Sequence, residues 1–170
     1  MIILGIDPGT AIIGYGVIES DGDRHKVLEV GTLRTSKDLL LSQRLKKIYK
    51  GITELLEMYE PDEVAIEQLF FSKNVKTAMS VSQARGVLLL GCVKWDKPIF
   101  EYSPVQIKQS ITGYGKAPKD QVMKMVCYIL NLKEPPKPDD AADALAIAMC
   151  HANHRTSPWM SNQDDITNLT

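Results

Sequence analysis

The sequence predicts an α/β fold: three strands in a meander, then helices alternating with two further strands. Three observations carry this. The chain opens on an apolar run, Ile2 to Ile6, that ends in Asp7-Pro8-Gly9. Two more strand-like runs follow, separated by the turn signal Asp21-Gly22-Asp23. Beyond residue 36, segments of helical period alternate with short β-branched runs. At 170 residues, with 44% hydrophobic and 24% charged, the chain is long enough for one domain with a full core.

The first strand spans residues 2–7. Five of the first six residues carry large apolar side chains, the pattern of a strand buried on both faces. Pro8-Gly9-Thr10 turns the chain, and residues 12–19 form a second strand containing Gly14 and Gly16. Residues 26–34 form the third. Thr35 or Ser36 is the expected cap of a helix reaching Tyr59, with Leu41, Leu45, Ile48, Ile52, Leu55 and Leu56 along it. Pro61-Asp62 stops it, and residues 63–69 make a fourth strand that carries Glu67 near its C-terminal end. A long helix covers residues 74–94, where small residues and Gly86 predict close packing against the sheet or a second copy. Residues 98–102 are a fifth strand. A short helix, 104–111, closes at Gly113-Tyr114-Gly115, and Pro118 opens the next, to about Leu132. A Pro-rich linker, residues 133–138, precedes a last helix capped by Asp139 and running to about His154. Residues 1–155 are read as the domain, and residues 156–170 as a polar, fraying tail.

The opening apolar run is too short for a signal peptide or membrane span, and Cys92, Cys127 and Cys150 are widely spaced. Both features predict a cytoplasmic protein with reduced thiols. The net charge of −1 conceals segregation. Residues 34–50 hold six bases and one acid; residues 51–69 hold six acids and no base. Residues 94–126 again favour bases, with six Lys against three acids. Such patches suit either a polyanion or solvated helix faces.

Asp7 on a buried strand is costly unless a cation meets it. Glu67 poses the same problem beside Gln68, Leu69 and Phe70. Asp140 and Asp143, three apart, share one face in the first turn of the last helix, among alanines and other apolar residues. That helix is expected to be buried and to approach a sheet closely, so its carboxylates need a counter-charge. Asp139 is read as a solvent-facing cap. An oxygen-only donor set favours Mg²⁺ or Mn²⁺ over zinc. His151 and His154, at the far end of the helix, are expected at the surface. Four carboxylates can hold two divalent ions ~4 Å apart, the arrangement used in phosphoryl transfer.

Taken together, Gly5-Ile-Asp-Pro-Gly-Thr10 with Gly14-Tyr-Gly16, Ala65-Ile-Glu-Gln-Leu-Phe70, Gln83-Ala-Arg-Gly86 and Asp140-Ala-Ala-Asp-Ala-Leu-Ala-Ile-Ala148 resemble the bacterial RuvC Holliday junction resolvases. The resemblance spans about residues 1–154. It implies an RNase H-like fold with a five-stranded mixed sheet between helices. It also implies a homodimer that nicks four-way DNA junctions symmetrically, leaving 5′-phosphates, alongside a branch-migration motor of the RuvA–RuvB type. The family's metal-binding acids fall on Asp7, Glu67, Asp140 and Asp143, with two Mg²⁺ per subunit and Mn²⁺ as a substitute. Its DNA-engaging aromatic falls on Phe70, with Phe71 packing instead, and two basic positions fall on Lys108 and Lys119. Arg85 and Gly86 are expected to serve structure or dimer contact.

The Gly-Ile-Asp-x-Gly-Thr opening also begins sugar-kinase and actin-like ATPases. Those need a second Asp-x-Gly loop, and Asp7-Pro8-Gly9 is the only one here, so no nucleotide cofactor is expected. A non-catalytic junction binder would be expected to have lost one of the acids. A nuclease for RNA–DNA hybrids is opposed by the motif match along the chain, not by the acids themselves.

Overall fold

The computed structural model of the protein describes residues 1–69 and 75–156. The expectations for Phe70, Phe71 and the tail beyond Thr156 lie outside the described residues. Five strands form one mixed sheet: β1 (Ile2–Asp7), β2 (Ile12–Ser20), β3 (His25–Arg34), β4 (Glu63–Glu67) and β5 (Ile99–Tyr102). Their order is β3-β2-β1-β4-β5, with β1, β2 and β3 antiparallel and β1, β4 and β5 parallel. The helices are α1 (Leu41–Tyr59), α2 (Val75–Lys94), α3 (Pro104–Thr112), α4 (Lys119–Ile129) and α5 (Asp139–Thr156).

Strand alternation sorts the core into two layers. Leu4, Ile6, Ile13, Val17, Val64, Ile66 and Ile99 face one side, where Ile48, Ile52 and Leu56 of α1 and Ala84 and Leu88 of α2 cover them. Ile3, Ile18, Ala65, Phe100 and Tyr102 face the other, beneath α5, with Ile107 and Ile111 of α3 and Val122 and Val126 of α4. Asp7 and Glu67 therefore fall on the α5 side, in phase with Ile3 and Ala65.

α5 lies across the sheet and touches all five strands. Glycines allow the approach. On Gly5 a Cβ would stand 2.2 Å from the Ala144 carbonyl oxygen, and on Gly16 it would stand 2.8 Å from the Leu145 side chain. Gly5 and Gly16 are themselves cross-strand partners. The buried alanines 141, 142, 144, 146, 148 and 152 complete the fit, as expected for this helix.

Two expectations need correction. α1 starts at Leu41, not after Thr35 or Ser36. The Thr35 hydroxyl donates to the Thr10 carbonyl and accepts from Arg44 Nε, so it ties β3 to the β1–β2 turn rather than capping a helix. The start of α1 is fixed by Gln43, whose side-chain oxygen accepts from the Leu40 N–H. Secondly, His151 and His154 are buried, 0% and 5% exposed. They lie on the sheet face of α5, and His151 is satisfied by Tyr102 and Glu63. Of the two alternatives for Gly86, packing against this chain's own sheet is not what it does: within the chain a Cβ there would meet nothing within 4 Å. The tight contact in α2 is at Gly91, against Ile52 of α1.

Candidate active site

Two adjacent parallel strands end together. β1 and β4 pair with Ile6 opposite Ile66, so the next residues, Asp7 and Glu67, emerge side by side on the α5 face. The carboxyl edge of parallel strands is where open α/β sheets bind ligands. Antiparallel pairing sets Gly14 opposite Asp7. A Cβ on Gly14 would stand 1.8 Å from the Asp140 carbonyl oxygen. The first turn of α5 thus rests on the strand beside Asp7, and the three-residue spacing carries Asp143 to the same end.

Asp7, Glu67 and Asp143 line one open cavity of about 180 Å³. Lys108 of α3 and Lys119 of α4 line it too, with Pro104, Ile107, Val122, Met123, Ala146 and Ile147 as an apolar wall. Asp140 is outside that lining but close enough for its charge to act on Asp7 and Asp143. The loop between α3 and α4 delivers Lys119: Gly113 ends α3 in a left-handed conformation, φ 74°, and Pro118 precedes α4.

The electrostatics are those of crowded acids. Burial, then the charges of Glu67, Asp143 and Asp140, pushes the Asp7 carboxyl from 3.8 up to about 7, against a smaller opposing effect of Lys119. Burial and the Asp143 charge raise Glu67, with Lys119 and Lys108 opposing. Burial raises Asp143 as well, with Lys119 pulling the other way. Lys119 Nζ donates to Asp143 Oδ2 at 2.8 Å and lies 3.3 Å from Asp139 Oδ2. Burial alone would lower the Lys119 pKa, but the hydrogen bonds and charges of Asp143 and Asp139 together raise it. Among the described residues no three His, Cys, Asp or Glu side chains form a closed metal-holding group.

Six of the residues named from the sequence lie here: Asp7, Glu67, Lys108, Lys119 and Asp143 line the cavity, and Asp140 is beside it. Sequence reasoning read Asp139 as facing solvent only, and the pairing with Lys119 went unseen. The signal was the four-residue spacing between Asp139 and Asp143, which puts them on one helix face. Arg85, expected to serve structure or dimer contact, pairs with Glu101 of β5.

The family model for the crossover junction endodeoxyribonuclease RuvC matches residues 3–151. The chain belongs to the RuvC family. It is 54% identical over 153 residues to the crossover junction endodeoxyribonuclease RuvC of Alkaliphilus metalliredigens, covering 90% of this chain and 93% of that one. It is 56% identical over 152 residues to the RuvC of Desulforamulus reducens, covering 89% and 93%. Among solved structures, Thermus thermophilus RuvC in complex with a Holliday junction substrate superposes with a TM-score of 0.90 at 35% identity, covering 96% of this chain and 98% of that one. The sheet and its flanking helices are therefore the RNase H-like fold of the RuvC enzymes, and the chain is a junction-resolving endonuclease of that family. Its class of nuclease is divalent-metal-dependent. No helix among the described residues is long and apolar enough to cross a membrane.

Proposed function

We propose that Asp7, Glu67, Asp140 and Asp143 form the catalytic centre of this RuvC-family endonuclease and hold two Mg²⁺ per subunit, with Mn²⁺ able to substitute. The observation that carries this is the convergence of Asp7, Glu67 and Asp143 on one cavity with Lys108 and Lys119, while Asp140 is seated on Gly14 beside Asp7. The donor set fits: it consists of carboxylate oxygens, with no thiolate or imidazole in the lining, and suits a hard cation. Crowded acids whose charged forms are disfavoured gain most from such a counter-charge.

When bound, the cations supply Lewis acidity, activating a water for attack on phosphorus and stabilising the departing 3′ oxygen. The chain's residues do the rest. The ends of β1 and β4 hold Asp7 and Glu67 at fixed spacing on rigid strands. Lys108 and Lys119 present positive charge to the phosphate as negative charge grows on its oxygens. The apolar wall of Ile107, Val122 and Met123 strengthens those interactions by excluding water. Phe70, three residues beyond Glu67, is assigned by its motif to stacking on an unpaired base at the crossover.

The substrate is a four-way DNA junction, nicked symmetrically by a homodimer to leave 5′-phosphates and ligatable ends. It works in the cytoplasm beside a RuvA–RuvB-type motor. Cleavage of synthetic four-way junction, linear duplex and RNA–DNA hybrid, with and without Mg²⁺, tests this reading. Paired nicks in the junction, dependent on Mg²⁺ and lost in Asp7→Asn while junction binding persists, are expected. Equal cutting of duplex or hybrid, or wild-type cutting by Asp7→Asn, overturns it.

A further inference from the structure

Lys119 is shared between two carboxylates with different surroundings. Asp143 lines the cavity and is one-third exposed; Asp139 is three-quarters exposed and absent from the lining. Both lie on the same face of α5. The ammonium is 2.8 Å from Asp143 Oδ2 and 3.3 Å from Asp139 Oδ2, near enough to move between them without leaving the cavity rim. An ammonium on Asp143 and a divalent cation on the same carboxylate repel each other. Resting on the assignment of Asp143 as a metal ligand, we propose that Asp139 is a positioning residue. It receives Lys119 when a divalent cation takes Asp143, so metal entry does not strand the ammonium and Lys119 stays beside the scissile phosphate.

The alternative is that Asp139 acts only as one more negative charge near the cavity. The two differ in their dependence on Lys119. A through-space attraction for metal acts whether or not Lys119 is present; a receiving site acts only when there is an ammonium to receive. Asp139 is solvent-facing at a helix start, where Asn also serves, so Asp139→Asn leaves the fold intact.

Calorimetric titration of the full chain with Mn²⁺, without DNA, measures the effect. Variants are Asp139→Asn, Lys119→Met, their combination, Asp139→Glu, and Asp7→Asn as control. Lys119→Met is expected to tighten Mn²⁺ binding by removing a competitor. Asp139→Asn is expected to weaken it about threefold with Lys119 present and less than about twofold with Met at 119, the scale of an exposed ion pair. Asp139→Glu is expected to restore binding. An Asp139→Asn effect equal in both backgrounds, or absent with Lys119 present, overturns the inference. Undiminished Mn²⁺ binding in Asp7→Asn would instead overturn the metal-site assignment itself.

Discussion

Gly14 carries the carbonyl of Asp140 where a side chain would otherwise be: a Cβ there would be 1.8 Å from that oxygen. Both partners are backbone, so no side-chain rotation relieves the clash. Gly14→Ala must lift the first turn of α5 and carry Asp140 and Asp143 away from Asp7. It is expected to cost more than about 3 kcal/mol in urea denaturation, with cleavage lost even where the protein stays folded. Gly86→Ala is the control. Nothing lies within 4 Å of its Cβ position, so the helix gains about 0.5–1 kcal/mol of stability. Equal destabilisation by the two would show that the close seating of α5 on β2 is unimportant.

Asp7 predicts an unusual pH dependence for the metal-free protein. Its pKa is raised from 3.8 to about 7 by burial and by neighbouring acids, so the folded state binds a proton that the unfolded state has released. Its contribution is intact below about pH 4 and is lost as pH rises toward 7. At ~1.4 kcal/mol per unit the loss approaches about 4 kcal/mol. Glu67 and Asp143, also raised, act with the same sign. Asp7→Asn removes the Asp7 contribution. In EDTA it is expected to be more stable than wild type at pH 8, by more than at pH 5, and Mg²⁺ then stabilises wild type but not the variant. A wild-type-to-variant difference that does not change between pH 5 and pH 8 would contradict this.

Lys108 shares the cavity with the acids, and its positive charge opposes the upward shift of Glu67. Lys108→Ala is expected to lower kcat for junction cleavage about tenfold or more. The slope of log binding constant against log salt should fall by about one if Lys108 also contacts a phosphate. Loss in binding alone, with kcat intact, would make it an anchor only.

The fold was legible because local signals agreed with one another. Alternation in Ile3-Leu4-Gly5-Ile6-Asp7 set which side chains share a face, and the alanines of α5 announced a close approach. The site was legible for a related reason: Asp7, Glu67 and Asp143 are carboxylates in apolar contexts, and the mismatch is visible without coordinates. What could not be read depended on partners distant in sequence. Thr35 has the composition of a helix cap, yet its hydroxyl is claimed by Thr10, 25 residues earlier. Asp139 resembles an ordinary cap until Lys119 is brought to it by the α3–α4 loop. The histidines near the end of α5 looked exposed because polar residues at a helix end usually are. His151 is satisfied by Tyr102 and Glu63, one on each of two neighbouring strands, and His154 by the Cys150 carbonyl one turn earlier, with its ring against Tyr102.

His151 shows what that hidden pairing contributes. It is fully buried against Phe100, with ring centroids 4.6 Å apart. Its Nε2–H donates to Glu63 Oε2 at 2.6 Å, so its Nδ1 accepts from the Tyr102 hydroxyl at 2.7 Å in the neutral ring. Burial lowers its pKa, although Glu63 acts the other way. A base held neutral in the fold gives stability that is present above its unfolded pKa and lost as pH falls through and below it. Glu63 begins β4 and Glu67 ends it, so four residue steps along the strand place this network about 13 Å from the acids. His151→Ala opens a cavity and removes the partner of the Tyr102 hydroxyl and of Glu63 Oε2, while Glu63 Oε1 keeps its pair with Arg155. It is expected to cost about 3 kcal/mol while changing kcat for junction cleavage less than about twofold. Glu63→Gln, whose side-chain oxygen still accepts from Nε2–H, is expected to cost less than His151→Ala. A drop in kcat without a drop in stability would mean that the far end of α5 reports to the acids, and that the helix does not act as a rigid support for Asp140 and Asp143.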